Sequence, residues 1–165
     1  MMDANLDMDA GDMSPAEYID ALESLPDVLM EELTKAARDI GLRIGRDAAE
    51  NAPRDMGQLQ ADLIQPMVEQ LGALVVRVRV GSNLPQTGPH EFGTDPFWPP
   101  VDALRPWANR VLGDPDLAFV AARSIAETGL EEQRFIRDAI EEHLDWALDR
   151  VTRAVNTAFQ AVGLQ

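Results

Sequence analysis

The sequence contains no cysteine, only one lysine, and no long apolar run. Without cysteine, neither a disulfide framework nor a thiolate metal site can form, which fits a reducing intracellular environment. The first nine residues have neither a basic n-region nor an apolar h-region, so we expect no secretory signal. No stretch approaches the roughly 20 apolar residues of a membrane span. These absences predict a soluble protein that does not associate with a membrane.

Positive charge is also scarce, because 14 Lys and Arg residues face 29 Asp and Glu residues, for a formal net charge of -15 and a pI of about 4.3. Sequence-independent binding to a phosphate backbone normally needs clustered cations, so we do not expect this chain to clasp DNA directly. Carboxylate-rich surfaces also keep proteins soluble in high salt. The composition therefore fits a halophilic host as well as an ordinary acidic surface encoded by a GC-rich genome.

The length of 165 residues predicts one domain, covering residues 14–165, that buries roughly 70% of its unfolded surface. Residues 1–13 are rich in Asp and poor in large apolar groups, so we expect an acidic, disordered N-terminus.

Helix signals begin at Ser14-Pro15-Ala16-Glu17, which has the pattern of an N-cap, a first-position proline and a capping-box Glu. We expect Pro26 to interrupt this first helix. From Asp27 onward apolar residues recur at spacings of three and four, which predicts a long amphipathic helix ending before Pro53.

The spacing of apolar residues then changes to every second residue. Residues 74–80 alternate between apolar residues and arginines, which predicts a half-buried strand with Arg77 and Arg79 on its outer face. Residues 63–70 are a plausible antiparallel partner, although Pro66 restricts them to an edge or bulged strand. Residues 81–100 are dense in Gly, Pro and aromatics, as in an ordered functional loop.

Two shorter helices are predicted over residues 101–112 and 114–128, the second opened by Asp114-Pro115. A long last helix ends at Gly163 and carries a sustained apolar stripe of Ile136, Ile140, Leu144, Leu148, Val151, Val155 and Phe159. The predicted class is therefore α+β, with long N- and C-terminal helices packed on a small antiparallel sheet or hairpin and two shorter helices between them.

Chemistry-bearing motifs are not found: there is no Gly-x-Ser-x-Gly elbow, phosphate-binding Gly-rich loop or His-Glu-x-x-His, and the only histidines are His90 and His143. His143 follows two glutamates, so we expect it on a solvated helix face. We predict no catalytic residue, no metal ligand and no cofactor. A small acidic regulatory module that mimics nucleic acid or sequesters a basic partner stays open as a second function.

Five stretches of the chain form a recognisable series. They are Ala52-Pro53-Arg54-Asp55-Met56-Gly57-Gln58-Leu59, the strand Val76 to Val80 closed by Gly81-Ser82-Asn83, His90-Glu91-Phe92-Gly93-Thr94, Pro99-Pro100 with Ala103-Leu104-Arg105-Pro106-Trp107-Ala108, and Gln133-Arg134-Phe135-Ile136-Arg137-Asp138-Ala139. In this order they resemble the tail-completion or minor tail protein family of lambdoid-type siphophages. Met56, Arg134 and Asp138 depart from that family's pattern, which has Thr at the first of these positions and often Pro at the other two.

The resemblance implies a structural virion protein of the neck, assembled in the host cytoplasm, rather than an enzyme. Such a protein forms a ring, six- or twelve-fold in this setting, between the head-side connector or portal-adaptor proteins and the tail-terminator or tail-tube proteins. Genomic DNA would pass through its channel without specific binding. Head-closure and tail-terminator proteins of the same neck remain alternatives.

Contact residues for a subunit or neck partner are expected in the loop and on the strand: Glu91, Phe92, Gly93, Thr94, Phe97, Trp98, Arg77, Arg79 and Arg105. Gly93 is expected to adopt a backbone conformation closed to residues with a Cβ. The loop around it either presses against a neighbouring subunit or plugs its own core. Glu91 either pairs with Arg79 or Arg105 or caps a turn. The two strand arginines either meet carboxylates of another copy or face solvent. Trp107 is expected in the core beside Leu104 and Val111.

Overall fold

The computed structural model describes residues 13–53 and 57–164. These residues form six helices and one antiparallel hairpin, which confirms the predicted α+β class. In chain order the elements are α1 (Pro15–Asn51), α2 (Gln58–Leu63), β1 (Met67–Gly72), β2 (Val75–Arg79), α3 (Thr87–Phe92), α4 (Val101–Val111), α5 (Leu117–Thr128) and α6 (Phe135–Ala161). The N-terminus expected to be disordered comprises residues 1–13, of which residues 1–12 lie outside the described residues.

Helix α1 is continuous, so the expected interruption at Pro26 is wrong. Its start is as predicted, because Ser14 and Glu17 form the reciprocal hydrogen bonds of a capping box. Pro26 leaves the carbonyl four residues earlier, that of Leu22, without its helical hydrogen bond. Leu22 and Pro26 are both exposed, so water can satisfy that carbonyl. The helix ends at Asn51, before Pro53 as expected, with Ala52 in an extended conformation.

Helix α6 runs antiparallel to α1 along an extensive contact. Three polar pairs mark the edge of this contact: Arg150 with Asp39 at 2.8 Å, the Arg43 guanidinium over the Trp146 ring at 4.5 Å, and His143 with Asp47 at 3.5 Å. His143 is therefore largely covered, and the prediction of a solvated position is wrong. The helix periodicity places His143 on the same face as Ala139 and Trp146, which its acidic sequence neighbours do not reveal.

Small residues on another part of α1 allow the hairpin and α2 to approach its backbone. A Cβ on Gly41 would lie 2.7 Å from Val78 Cγ2, and a Cβ on Gly45 would collide with the Leu63 carbonyl oxygen. The main core forms where these layers meet. Its buried members are Ile40, Ile44, Ala48, Ala49, Ala52, Leu59, Leu63, Phe135 and Ala139.

The hairpin confirms the predicted pairing but starts later than expected. Residues up to Leu63 belong to α2, which the sequence analysis missed, and Pro66 directly precedes β1. Val68 pairs with Val78 and Glu69 with Arg77, with an irregularity between Gln70 and Gly72. Leu74 lies in the turn with φ 61° and is not a strand residue. From Val75 to Val80 the predicted alternation holds, with Val76, Val78 and Val80 as the more covered positions.

Residues 81–100 are ordered but include the short helix α3, which was also missed. Helix α4 agrees with its predicted range, whereas α5 begins at Leu117 instead of Asp114. The Asp114 side chain accepts a hydrogen bond from the Asp116 amide at 2.8 Å, and the Leu117 amide reaches the Asp114 carbonyl at 3.3 Å. Asp114 thus caps a tight turn that leads into α5.

Replacing Gly45 by Ala tests the close approach of α2 to α1. Ala normally stabilises a helix interior by about 1 kcal/mol relative to Gly, but here the added Cβ meets backbone that cannot rotate away. We expect Gly45→Ala to lower the free energy of unfolding in urea by about 1–3 kcal/mol. Gly88→Ala in α3 is the matched control, since a Cβ there meets nothing within 4 Å. An equal or higher stability of Gly45→Ala would contradict the packing described.

Candidate functional site

Glu91 connects the middle of the chain to the start of α6. It lies in the last turn of α3 and is only 4% exposed. Its two carboxylate oxygens accept hydrogen bonds from the amides of Ile136 at 2.9 Å and Arg137 at 3.0 Å. The N-cap residue of α6, Arg134, makes no side-chain cap of its own. Glu91 therefore supplies the cap of a helix that begins more than forty residues later.

The backbone reinforces this contact. The Gln133 amide donates to the His90 carbonyl at 2.9 Å and the Arg134 amide to the Glu91 carbonyl at 3.2 Å. Burial lowers the pKa of His90 below its usual value, so its imidazole is neutral at pH 7. The end of α3 and the start of α6 are consequently held together by side-chain and main-chain bonds at once.

A second clasp follows directly in sequence. The Thr94 amide donates to the Leu130 carbonyl at 2.9 Å, and the Leu130 amide donates to Thr94 Oγ1 at 3.0 Å. Gly93 beside it has φ 69° and ψ -178°, and Gly129 has φ 76° and ψ -164°, a region that is essentially restricted to glycine. The predicted conformational requirement at Gly93 is present. We call the contacts of residues 90–94 with residues 129–137 the junction.

Close approach adds to the requirement for glycine at both positions. A Cβ on Gly93 would lie 2.8 Å from the Leu130 carbonyl oxygen, and one on Gly129 would collide with the Thr94 carbonyl oxygen. The two segments that form the clasp therefore cross at a distance that only glycine permits.

Helices α4 and α5 leave the body at the junction and pack mainly on each other. Ala108, Ala118 and Ala122 are fully buried between them. Among the described residues, neither helix shares an extensive contact with α1, α6 or the hairpin. We call residues 97–128 the arm. Trp107 and Leu104 are half-buried in the arm, whereas Val111 is exposed. The expected packing of Trp107 beside Leu104 and Val111 is therefore only partly formed. It lies outside the main core.

The expected contact aromatics lie at the root of the arm and beside the junction. Phe97 and Trp98 are exposed, and Trp98 meets Phe119 of α5 edge to face with ring centroids 5.8 Å apart. Phe92 is 65% exposed and lies under the Arg137 guanidinium at 5.4 Å. All three rings leave surface available to a partner.

The charged contact candidates are distributed over separate regions. Arg79 bonds Glu69 across the hairpin at 2.6 Å, and Arg105 reaches Asp102 at 3.1 Å and Asp116 at 3.4 Å within the arm. Neither pairs with Glu91, so those suggested ion pairs are wrong and the capping alternative holds. The Arg77 side chain is exposed on the strand. The structure thus groups Glu91, Gly93 and Thr94 at the junction and leaves the arginines elsewhere.

A polar groove of about 620 Å³ lies between α1 and α6, lined by Asp39, Arg43, Asp47, His143 and Trp146, among others. Its acids and bases largely satisfy one another in the pairs described above. Within residues 13–53 and 57–164, no cluster of three or more His, Asp or Glu side chains is placed to hold a metal ion. No helix in that part of the chain is long and apolar enough to cross a membrane.

Sequence reasoning missed the partners of the Glu91-Phe92-Gly93-Thr94 stretch, chiefly Gly129 and Leu130. A glycine directly after a helix was a usable signal for Gly129, because such glycines commonly take positive φ. Nothing local in the sequence marks Leu130 as the residue opposite Thr94.

Protein-family models, curated proteins and solved structures contain no match to this chain.

The capping role of Glu91 predicts a cost for Glu91→Gln. The amide keeps one acceptor but loses the charge, and it presents a donor where the helix already supplies donors. We expect the free energy of unfolding to fall by about 1–3 kcal/mol in urea denaturation. Exposed Glu142 on α6 provides the control, and Glu142→Gln should change stability little. Equal stability of both variants would contradict the capping role.

The clasp predicts that Gly93→Ala is more destabilising than Gly113→Ala. Both glycines have positive φ, 69° and 77°, but only at Gly93 would a Cβ meet the backbone of another segment. The Gly113 variant should lose about 1–2 kcal/mol from its left-handed conformation alone. The Gly93 variant should lose more, because the close approach adds to a backbone conformation that is itself essentially restricted to glycine. Hydrogen exchange at the Thr94 and Leu130 amides should also be faster. Indistinguishable losses would show that the close approach contributes nothing.

Proposed function

We propose that this chain is a tail-completion protein in the neck of a tailed virus, forming a ring between the head-side connector and the tail tube. The observation that supports this most directly is the convergence of four of the five stretches that carry the family resemblance. Ala52, Leu59, Phe135 and Ala139 from the first and last stretches share one core, with Val80 packed against it. Glu91 of the central stretch caps the helix that the last stretch begins. The family-like residues thus cooperate in one structural unit.

The role is structural and involves no catalytic step or cofactor. The polar groups of the junction hold segments of the same chain together. The Glu91 carboxylate and the Thr94 hydroxyl both accept hydrogen bonds from main-chain amides. Such a rigid connection suits a protein that must hold an arm at a constant angle within an assembly. Its partners are other copies and the adjacent connector and tail proteins, and its location is the virion.

The acidic surface fits passage of DNA through the ring. The first half of α1 exposes Glu17, Asp20, Glu23 and Asp27 in succession. Carboxylates that face a channel repel phosphates, so DNA can pass without adhering. Head-closure and tail-terminator proteins occupy adjacent layers of the same neck and share these requirements, so both stay alternatives. The ring proposed here has six- or twelve-fold symmetry.

Deleting the gene from the virus that carries it tests the proposal. We expect cells to accumulate DNA-filled heads and separate tails, and complementation with the intact gene to restore joined, infectious particles. Electron microscopy counts the joined fraction, and mass spectrometry of purified wild-type virions detects the protein. Joined particles in the deletion would reject the neck role. Absence of the protein from virions would favour the acidic regulator instead.

A further inference from the structure

Within the described residues, α6 and the arm each leave an apolar surface uncovered. On α6, Ile140, Leu144, Leu148 and Val151 follow one another at spacings of three and four and are 43%, 53%, 59% and 38% exposed. We call these four residues the α6 stripe. The face that α6 turns to α1 is instead made largely of the buried alanines Ala139, Ala154 and Ala158. An apolar stripe on a charged, soluble chain marks a contact surface.

The second surface belongs to the arm. Only alanines are fully buried between α4 and α5, and several large apolar side chains are left exposed, including Phe119 at 54% and Val120 at 60% exposure. A two-helix hairpin with so little buried surface needs a further layer to pack against. The body of its own chain does not supply that layer, since α4 and α5 share no extensive contact with the described part of α6.

Charge allows the arm to approach another copy. The arm holds three arginines and four carboxylates, so it carries -1 of the chain's net charge of -15 over about a fifth of its length. Repulsion opposes contacts between strongly acidic surfaces, such as those of two α1 helices. The arm is close to neutral and therefore meets an acidic second copy with little repulsion.

The borders of the two surfaces are complementary. Arg123 lies one turn after Phe119 and so shares its flank of α5. Its present partner Glu127 is exposed, and such pairs exchange readily. The α6 stripe is bordered by the exposed carboxylates of Glu141 and Asp145. Glu141 also pairs with Arg134 of its own chain at 3.3 Å, in an exposed ion pair that can exchange in the same way. The lengths also agree, because the stripe spans about 17 Å and α5 about 18 Å at 1.5 Å per residue.

We propose that the arm of one copy packs on the α6 stripe of the next, with Phe119 and Val120 against Leu144 and Leu148 and Arg123 facing Glu141 and Asp145. This contact joins two different surfaces and is therefore heterologous, so it repeats from subunit to subunit and closes into a ring where the rotation allows. The contact deepens the proposed neck function. Only its closure into a ring rests on that function.

The absence of native cysteine makes the contact directly testable. Two single variants, Phe119→Cys and Leu144→Cys, are purified separately, mixed and treated with a mild oxidant. Both positions are exposed, so the fold should be retained, which circular dichroism checks. We expect the mixed pair to form at least tenfold more disulfide dimer than Phe119→Cys mixed with Glu142→Cys. Residue 142 is equally exposed but lies on another face of α6.

Oxidation is performed at the highest soluble concentration, in low salt and in about 1 M salt, where repulsion between acidic copies is screened within about 3 Å. No enrichment over the Glu142 control in either condition would overturn the proposal. Predominant pairing of Phe119→Cys with itself would overturn it in favour of a symmetric arm contact. A third variant carries both Phe119→Cys and Leu144→Cys and is oxidised at high dilution. A disulfide within one chain of this double variant would also overturn the proposal, because the arm would then pack on its own α6.

The neck role and this contact can fail separately. Enriched disulfide dimers from a protein that is absent from virions would retain the contact and reject the neck. A virion protein without enrichment would retain the neck and reject the contact.

Discussion

The carboxylate of Glu91 at the N-terminus of α6 is the interaction on which the arrangement of the chain depends. Helix α6 begins without a side-chain cap from its own N-cap residue, so its first amides need an acceptor from elsewhere. Glu91 supplies both of its oxygens from the end of α3, in a buried position where a bond to a charged group is stronger than in water. Because α6 is also the main partner of α1, this contact links the middle of the chain to the main helix pair.

The direction of the arm follows from the same place. Gly93 and Gly129 cross where the chain leaves the body and where it returns, and their positive φ values allow Thr94 and Leu130 to bond directly. The two ends of the arm are thereby held together at its root, whereas its helices bury only alanines between them. A firmly held root combined with incompletely covered helices is what an element needs if it is to reach a neighbouring molecule in a constant orientation.

Small residues decide how the apolar content of the chain is divided between core and surface. The helices approach one another closely through alanine and glycine, as at Ala139, Ala154 and Gly45. Close approach leaves little room for large side chains between the helices, so Leu144 and Leu148 remain outside. The stripe on α6 thus belongs to a surface rather than to the core.

Much of this could be predicted from the sequence, because some signals act locally. The capping box at Ser14, the end of α1 before Pro53, the alternation along β2 and the glycine requirement at Gly93 all depend on neighbouring residues, and each is found. The predicted interruption of α1 at Pro26 was wrong, because the free-energy cost of a proline in a helix depends on whether the carbonyl that loses its hydrogen bond is exposed. The partner of Glu91, the covering of His143 by Asp47 and the exposure of Leu144 depend on residues far away in the chain. Periodicity shows that a helix has an apolar face, but only tertiary packing decides what covers that face, since the same stripe can bury against its own chain or another.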